Sequence, residues 1–528
     1  MPDVSSFRTL SSRAWPGATA GLVAGFSALA MAELTAGLVR PEAGPVTVVG
    51  GVVIDRTPAP VKDFAIRTFG ESDKTVLQLG ILAVLALIAM GLGVAALRHR
   101  TGGAAGILVF GLVGVGAAVS RPDAGPLDVL PSVAGALAGA AALWMLAGRA
   151  VPARGVVSPG NDGEQGWNRR AFLTSAAVTA GAAACAGVLG RFLAGQRGQG
   201  AVASRDGLAL PAPASPAPSV PAGVQLKVPG ISPFVTPNRE FYRVDTALVV
   251  PKVDARTWRL RIHGEGVARA RTYTLDELLA RPLIERDITL TCVSNEVGGP
   301  YLGNARWLGV PLAGLLEECG VRPPSKGGGA DQLVARSVDG MTLGSPVEDV
   351  MDGRDAMLAV GMNGEPLPFD HGFPVRMLVP GLYGYVSACK WIESIELTTF
   401  AAYDPYWVKR KWARRAPVKT QSRIDTPKPF ARVAAGPVTV AGVAWAQRRG
   451  ITRVEVRVDE GPWRDADLAA QDTVDTWRQW SYRWNAAPGS HTLTVRATDG
   501  TGQVQTERRT RTVPDGPSGR HSVFVTVT

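Results

Sequence analysis

Cys292 closes an apolar, strand-like lead and opens a polar, Gly-rich loop in the run Thr289-Leu290-Thr291-Cys292-Val293-Ser294-Asn295-Glu296-Val297-Gly298-Gly299. A thiolate at a loop mouth suits a soft, high-valent metal, and it stays deprotonated only beside positive charge or hydrogen-bond donors. By itself a cysteine at a strand end is more often a small buried hydrophobe, so the argument needs a second string. That string is Asp370-His371-Gly372-Phe373-Pro374-Val375-Arg376-Met377-Leu378-Val379-Pro380-Gly381, followed by Lys390-Trp391-Ile392. Arg376 stands between apolar Val375 and Met377 on what reads as a buried strand, and a buried guanidinium calls for an anionic partner. Together these residue types suit a single-thiolate metal centre beside an anion pocket.

The two strings resemble the molybdopterin domain of the sulfite oxidase family, over roughly residues 230–528. The resemblance implies a molybdenum–molybdopterin cofactor that moves one oxygen atom, with Cys292 as its protein ligand. It implies that His371, Arg376, Ser387 and Lys390 form the pocket for the pterin phosphate, with Asn238, Phe241 and Tyr242 as further pterin contacts. The substrate side departs from the family pattern. Where the family has Asn-Arg after the metal cysteine and Gly-Ala-Arg after Val-Pro-Gly, this chain has Asn295-Glu296 and Gly384-Tyr385-Val386. Losing two guanidinium groups and gaining a carboxylate disfavours an anion. A neutral oxygen donor or acceptor, such as a sulfoxide or N-oxide, is therefore expected. Tyr383-Gly384-Tyr385 resembles the bacterial branch that reduces methionine sulfoxide, which makes Tyr385 the second candidate catalytic residue. One alternative keeps sulfite or another sulfur oxyanion, with Arg306 or Arg239 replacing the missing arginines. Another, from a different class, is a non-catalytic envelope protein using a β-sandwich for adhesion or assembly.

With 528 residues the chain has room for about three domains. Lys and Arg exceed Asp and Glu by 56 to 45, but no basic run interleaved with aromatics of the kind that tracks phosphates is apparent, so nucleic acid is not an expected partner. The four cysteines, Cys185, Cys292, Cys319 and Cys389, include no C-x-x-C pair, which disfavours zinc ribbons and cysteine-ligated iron–sulfur clusters. If the soluble half is exported, Cys319 and Cys389 are free to pair.

Residues 1–195 contain five apolar stretches, near 16–39, 74–97, 103–120, 127–148 and 171–194, each close to the length that spans a bilayer. Arg8 and Arg13, Arg98 and Arg100, and Arg149, Arg154, Arg169 and Arg170 all fall on one side if the N-terminus is cytoplasmic, which sends everything after the fifth span outside. Asn168-Arg169-Arg170-Ala171-Phe172-Leu173-Thr174 resembles a twin-arginine export signal, and Ala201-Val202-Ala203 is a candidate cleavage site, although an uncleaved anchor is expected. Glu33 is an acid inside the first span and a functional candidate on that ground. No bis-histidine haem is expected in the bundle, since of five histidines only His99 lies near it. Electrons are expected to pass to or from a separate protein or a quinone.

The Pro/Ala-rich segment 196–222 reads as a semi-rigid stalk. From 223 to 415, short strand-like runs alternate with two helix signals, one opened by a Thr274–Glu277 capping box, so this is a mixed α+β domain. Residues 421–528 alternate with Asp-Gly type turns as a small β-sandwich, and they resemble the immunoglobulin-like dimerisation domain of the same family. The resemblance implies a homodimer through 421–528. The whole chain is thus expected to be multidomain: an N-terminal α-helical transmembrane bundle, a sulfite-oxidase-type molybdopterin domain and an immunoglobulin-like sandwich.

Overall fold

A computed structural model describes residues 4–58, 61, 64, 68, 69, 73–121, 124–150 and 169–528. The chain divides into two units, one of residues 1–200 with 247–250 and the other of residues 201–246 with 251–528.

The first unit is helical. Its elements are α1 (Val4–Leu38), α2 (Pro45–Arg56), α3 (Asp73–Ala96), α4 (Arg100–Val119), α5 (Leu130–Ala150) and most of α6 (Arg169–Asp206). Five of these are long and apolar enough to cross a membrane by length and composition; α2, with 12 residues, is too short and lies between the first two of them. Small residues set the packing. A Cβ on Gly21 of α1 would collide with the Ala89 carbonyl of α3, and one on Gly93 of α3 with the Gly17 carbonyl of α1. Gly135 and Gly139 of α5 likewise lie against Ala28 of α1. Such small-xxx-small faces let backbones approach where water supplies no driving force. Basic side chains gather at one end of the bundle. Arg100 Nη2 donates to Gly148 O at 3.1 Å, Arg149 Nη1 donates to Ser175 Oγ at 2.7 Å, and the Arg169 guanidinium lies 5.7 Å from the Trp15 ring centroid. Glu33 lies where α1 meets Gly190 of α6, with Oε1 beside Gly44. Asn168 and Arg154 lie outside the described residues, as do the side chains of Arg8 and Arg13.

In the second unit the expected stalk is not a stalk. Residues 196–206, including Ala201-Val202-Ala203, continue α6, and the proline-rich stretch after it lies along the domain of residues 223–415. Ala214 N–H donates to Leu283 O at 2.8 Å, Ser215 bridges Ile284 in parallel, and Glu285 N–H returns a bond to Ser215 O at 2.9 Å. Extended proline-rich backbone leaves its carbonyls free, so it serves equally well as a strap once a strand edge is available.

The domain of residues 223–415, which carries the candidate site, is mixed α+β. One sheet has the order β2 (Arg271–Thr274), β1 (Arg259–Gly264), β10 (Ile392–Thr398), β5 (Gln332–Ser337), β6 (Thr342–Pro346). The other runs β3 (Ile284–Thr291), β4 (Leu302–Pro311), β7 (Met357–Met362), β8 (Glu365–Pro366), with β9 (Arg376–Leu378) also on β7. Short helices α7 (Leu275–Leu279), α8 (Leu312–Glu318), α9 (Val347–Met351) and α10 (Gly384–Ser387) join them. The capping box forms at α7: Glu277 N–H donates to Thr274 Oγ1 at 3.1 Å and Thr274 N–H to Glu277 Oε2 at 2.7 Å. Cys319 and Cys389 are buried and unpaired, Cys319 against the Tyr273 hydroxyl and Cys389 against the Lys390 carbonyl.

The C-terminal domain is a sandwich of two sheets. One runs β11 (Gln421–Thr426), β13 (Gly436–Trp445), β17 (Arg478–Ala486), β16 (Asp467–Leu468); the other runs β12 (Arg432–Val433), β19 (His521–Val527), β18 (Gly489–Asp499), β14 (Ile451–Val458), β15 (Arg464–Asp465). Trp480 and Trp484 fill its core, whereas Trp445 and Trp477 belong to the catalytic core. Trp463 is not a core residue: the guanidinium groups of Arg457, Arg496 and Arg520 lie 5.0, 4.3 and 5.1 Å from its ring centroid.

The bundle geometry makes a paired prediction. Gly93→Leu should destabilise by about 1–3 kcal/mol through overpacking and lower the thermal aggregation temperature of the detergent-solubilised chain. Gly91→Leu, two residues along α3 with nothing within 4 Å of its Cβ position, should leave that temperature unchanged.

Candidate active site around Cys292

Cys292 follows β3, where the strand passes into a loop. Its backbone N–H donates to Tyr301 O at 3.0 Å and its carbonyl accepts from Asn295 N–H at 3.1 Å, so the loop folds over the thiol. The Sγ accepts from Ser294 N–H at 3.4 Å. Burial pushes the thiol pKa up, while the Ser294 donor and the Lys390 charge pull it down. The loop is fixed from outside by the C-terminal domain. Gln447 Nε2 donates to Thr289 O (2.9 Å) and Thr291 Oγ1 (3.2 Å), Trp477 N–H donates to Thr289 Oγ1 (2.8 Å), and Arg423 Nη1 donates to Gly299 O (2.8 Å). His521 closes over Gly298, with its Nδ1 accepting from Ile424 N–H at 3.0 Å. Burial, then the charge of Arg423, lowers its pKa to about 4, so the wedge is neutral.

Arg376 begins β9 and is 4% exposed. Its Nη1 donates to His371 O at 3.2 Å, its guanidinium lies 5.1 Å from the Trp307 ring centroid, and its Nε is buried with no partner. Burial lowers its pKa to about 10, which still leaves it charged at neutral pH. His371 is buried beside it. Its Nε2 faces the Asn238 carbonyl at 3.1 Å, which assigns the ring proton to Nε2 and leaves buried Nδ1 as an acceptor with no partner. Burial, then the charges of Arg376 and Lys390, lowers the His371 pKa to about 3. Gly372 makes the turn between the two with φ 107°, and a Cβ there would sit 3.0 Å from Lys390 Cα and 3.1 Å from Arg376 Cβ. Only glycine permits that approach.

An aromatic wall joins thiol and guanidinium. Phe241 stacks on Tyr242 (centroids 5.2 Å apart) and meets Trp307 (5.8 Å) and His371 (5.5 Å) edge to face. Tyr242 feels both ends of the site: its pKa is raised by burial and by Cys292 and drawn back by Arg376. Asn238 holds the wall's base, accepting from Asn363 Nδ2 at 2.8 Å and donating to Met362 O at 3.2 Å. Lys390 Nζ donates to Asp245 Oδ2 at 3.0 Å, and Arg243 bonds Asp370 at 2.9 Å.

Two sequence candidates fall elsewhere. The Ser387 hydroxyl is fully buried and donates to the carbonyls of Leu382 and Tyr383, both at 3.0 Å, so its proton holds the loop instead of facing a ligand. The Tyr385 hydroxyl donates to Ala413 O at 2.7 Å, and its ring packs 5.5 Å from Trp412. It is Tyr383 that lies in the field of Cys292, with its pKa raised by burial. Sequence reasoning missed Tyr383, Asp245, Arg243 and Gly372. The alternating charges of Arg243-Val244-Asp245 beside the Phe-Tyr pair were the available signal.

Residues 247–407 match the oxidoreductase molybdopterin binding domain, and residues 421–495 match a bacterial Ig domain. Mitochondrial sulfite oxidase of Mus musculus is 30% identical over 293 residues, covering 47% of this chain and 53% of that protein. The Drosophila melanogaster sulfite oxidase is 31% identical over 326 residues, covering 52% and 56%. Nitrate reductase (NADH) of Solanum lycopersicum is 29% identical over 337 residues, covering 52% and 36%. Among solved structures, the sulfane dehydrogenase SoxCD from Paracoccus pantotrophus superposes with TM-score 0.49 at 26% identity, covering 56% of this chain and 82% of that one. Residues 247–407 are thus an oxidoreductase molybdopterin-binding domain. The chain is similar in sequence to the sulfite oxidases, and it spans about half the length of those it matches. The reading as a non-catalytic envelope protein is thereby displaced.

The residues present fit the cofactor. Molybdopterin ends in a phosphate, and Arg376 offers a buried cation with no carboxylate beside it, while Nε of Arg376 and Nδ1 of His371 form an unused donor and acceptor. Among the described residues no three His, Cys, Asp or Glu side chains converge on a point, which fits a metal at Cys292 that takes a single thiolate from the protein.

Arg376→Met should therefore separate folding from loading. Replacing a buried unpaired charge with an apolar chain of similar length is neutral or stabilising, so the urea midpoint of the cofactor-free protein should hold or rise. Molybdenum per chain should fall by about tenfold or more, as for loss of an essential anchoring contact.

Proposed function

We propose that the protein is a membrane-anchored molybdenum-cofactor oxidoreductase that moves one oxygen atom to or from a neutral S-oxide or N-oxide on the extracytoplasmic side. The observation that carries this is that the aromatic cluster of Phe241, Tyr242 and Trp307 packs beside the buried Arg376 guanidinium, with Cys292 and Arg376 both near enough to act on Tyr242. A metal-ligating thiol and a phosphate-holding guanidinium belong at the two ends of one elongated cofactor. In this reading Cys292 binds molybdenum, with Ser294 N–H and Lys390 favouring its thiolate. Arg376 holds the phosphate end, neutral His371 beside it offers Nδ1 as an acceptor to a pterin N–H, and Phe241, Tyr242 and Asn238 line the pterin. Bound there, the cofactor supplies two-electron oxygen-atom transfer.

The neutral substrate follows from the charges beside the thiol. Exposed Glu296 occupies the position where the family places one arginine, and buried, apolar Val386 occupies the position of the other. Arg306 is committed to Asp287 at 2.6 Å and Arg239 to Glu240 at 3.2 Å, which weighs against either standing in as an anion receiver. Sulfite is the second reading, favoured by the names of the Mus musculus and Drosophila melanogaster relatives. The five apolar helices support membrane anchoring, and the gathering of Arg100, Arg149 and Arg169 at one end of the bundle supports a cytoplasmic placement of that end. The Arg169-Arg170 pair at the start of α6 serves in this reading as a twin-arginine signal that leaves α6 as an uncleaved anchor. The sandwich 421–528 is the surface proposed for homodimerisation.

The test uses the full chain, purified in detergent from a host that makes molybdenum cofactor. It should carry one molybdenum per chain and reduce sulfoxides or N-oxides with a viologen donor, with little sulfite-dependent acceptor reduction. Cys292→Ser should lower turnover by more than the roughly 10–100-fold cost of losing an outer-shell partner. Wild-type turnover of sulfite alone would replace the main reading with the second.

A further inference from the structure

The positive charge of the chain is concentrated. Its formal net charge is +11; residues 409–419 hold six Lys and Arg with no carboxylate, and residues 507–520 hold four Arg against two carboxylates, a formal +6 and +2. The fold brings these two stretches together. Ala413 N–H donates to Pro514 O at 2.9 Å, and Lys419 Nζ donates to Asp515 Oδ1 at 2.9 Å and Gly516 O at 2.7 Å. Arg414, Lys419 and Arg520 are neutralised by Asp404, Asp515 and Glu507. The exposed Lys409, Lys411, Arg508 and Arg511 have no carboxylate at ion-pair distance among the described residues.

An aromatic row ends under this patch. A Cβ on Gly384 would lie 3.8 Å from the carbonyl of Thr291, the residue before Cys292. The next residue, Tyr385, packs on Trp412 (5.5 Å), which meets Trp407 (6.0 Å), which meets Tyr406 (5.0 Å), and the Arg410 guanidinium lies 3.5 Å over the Tyr406 ring. Packed rings thus run from the segment beside the thiol-bearing strand toward the cationic surface.

We propose that the surface of residues 409–419 and 507–520 docks an acidic one-electron redox protein, and that the row Tyr385–Trp412–Trp407–Tyr406 is the electron path beneath it. The proposal rests on the oxidoreductase reading above. Reducing a sulfoxide takes two protons and two electrons and yields the sulfide and one water, so the partner delivers its electrons in two successive encounters. A positive face beside the path steers a negative partner and makes association depend on salt. A lipid surface fits less well. Membrane docking favours exposed apolar side chains beside the cations, whereas Tyr406, Trp407 and Trp412 are only partly exposed, and the one large hydrophobic exposed among the described residues of the patch is Val513.

The test follows sulfoxide reduction by the full-length holoenzyme in phosphatidylcholine nanodiscs, driven by a reduced acidic 2Fe–2S ferredoxin or by reduced benzyl viologen. In the variant K409E/K411E/R508E/R511E, kcat/KM for ferredoxin should fall about tenfold or more, and its salt dependence should flatten. Viologen-driven turnover should match wild type. Unchanged ferredoxin kcat/KM in the variant would overturn the docking proposal. So would a charge-reversal effect that appears only in discs carrying phosphatidylglycerol, which would assign the patch to lipid head groups. Absence of viologen-driven turnover in wild type would instead remove the oxidoreductase reading on which the proposal rests.

Discussion

A guanidinium buried without a carboxylate is the constraint around which the catalytic domain is organised. Desolvating an ion costs several kcal/mol even after relaxation, and Arg376 recovers only part of this from the His371 carbonyl and the face of Trp307. The surroundings keep other positive charge from adding to the strain: His371 stays neutral, and Lys390 is paired with Asp245. An anion brought against Arg376 relieves the desolvation directly. The site is therefore built for an occupant whose negative end arrives from outside the chain.

At the thiol the requirement is positional. A cysteine on a free loop could not hold a metal at a fixed distance from Arg376. The loop from Cys292 to Gly299 is tied down on both flanks by the C-terminal sandwich, through Gln447 and Trp477 before the thiol and Arg423 and His521 after it. Trp477 extends this coupling into packing, because it lies in the catalytic core and its Nε1 donates to Phe234 O at 3.0 Å. The sandwich is thus part of the scaffold that holds the thiol in place.

Much of this arrangement was legible in local strings, and the part that was not depended on distant partners. Cys292, Phe241-Tyr242 and His371 to Arg376 stand in short runs whose residue types demand explanation, and the α7 capping box is a four-residue pattern satisfied by its own backbone. Ser387 and Tyr385 read as ligand-facing hydroxyls because sequence cannot show that their protons go to Leu382, Tyr383 and Ala413 carbonyls. The segment 196–222 read as a stalk because composition reports backbone preference alone; its bonds run to Leu283 and Glu285, some 70 residues away. Nothing local marks Trp463, because the three arginines over its ring come from three separate stretches that meet only in the folded sheet.

The most direct measurement of the central claim is X-ray absorption at the molybdenum edge of the full-length holoenzyme, wild type against Cys292→Ser. The account predicts one fewer sulfur neighbour at the metal in the variant. An identical sulfur count with full molybdenum content would show that Cys292 is not the ligand and would contradict the account.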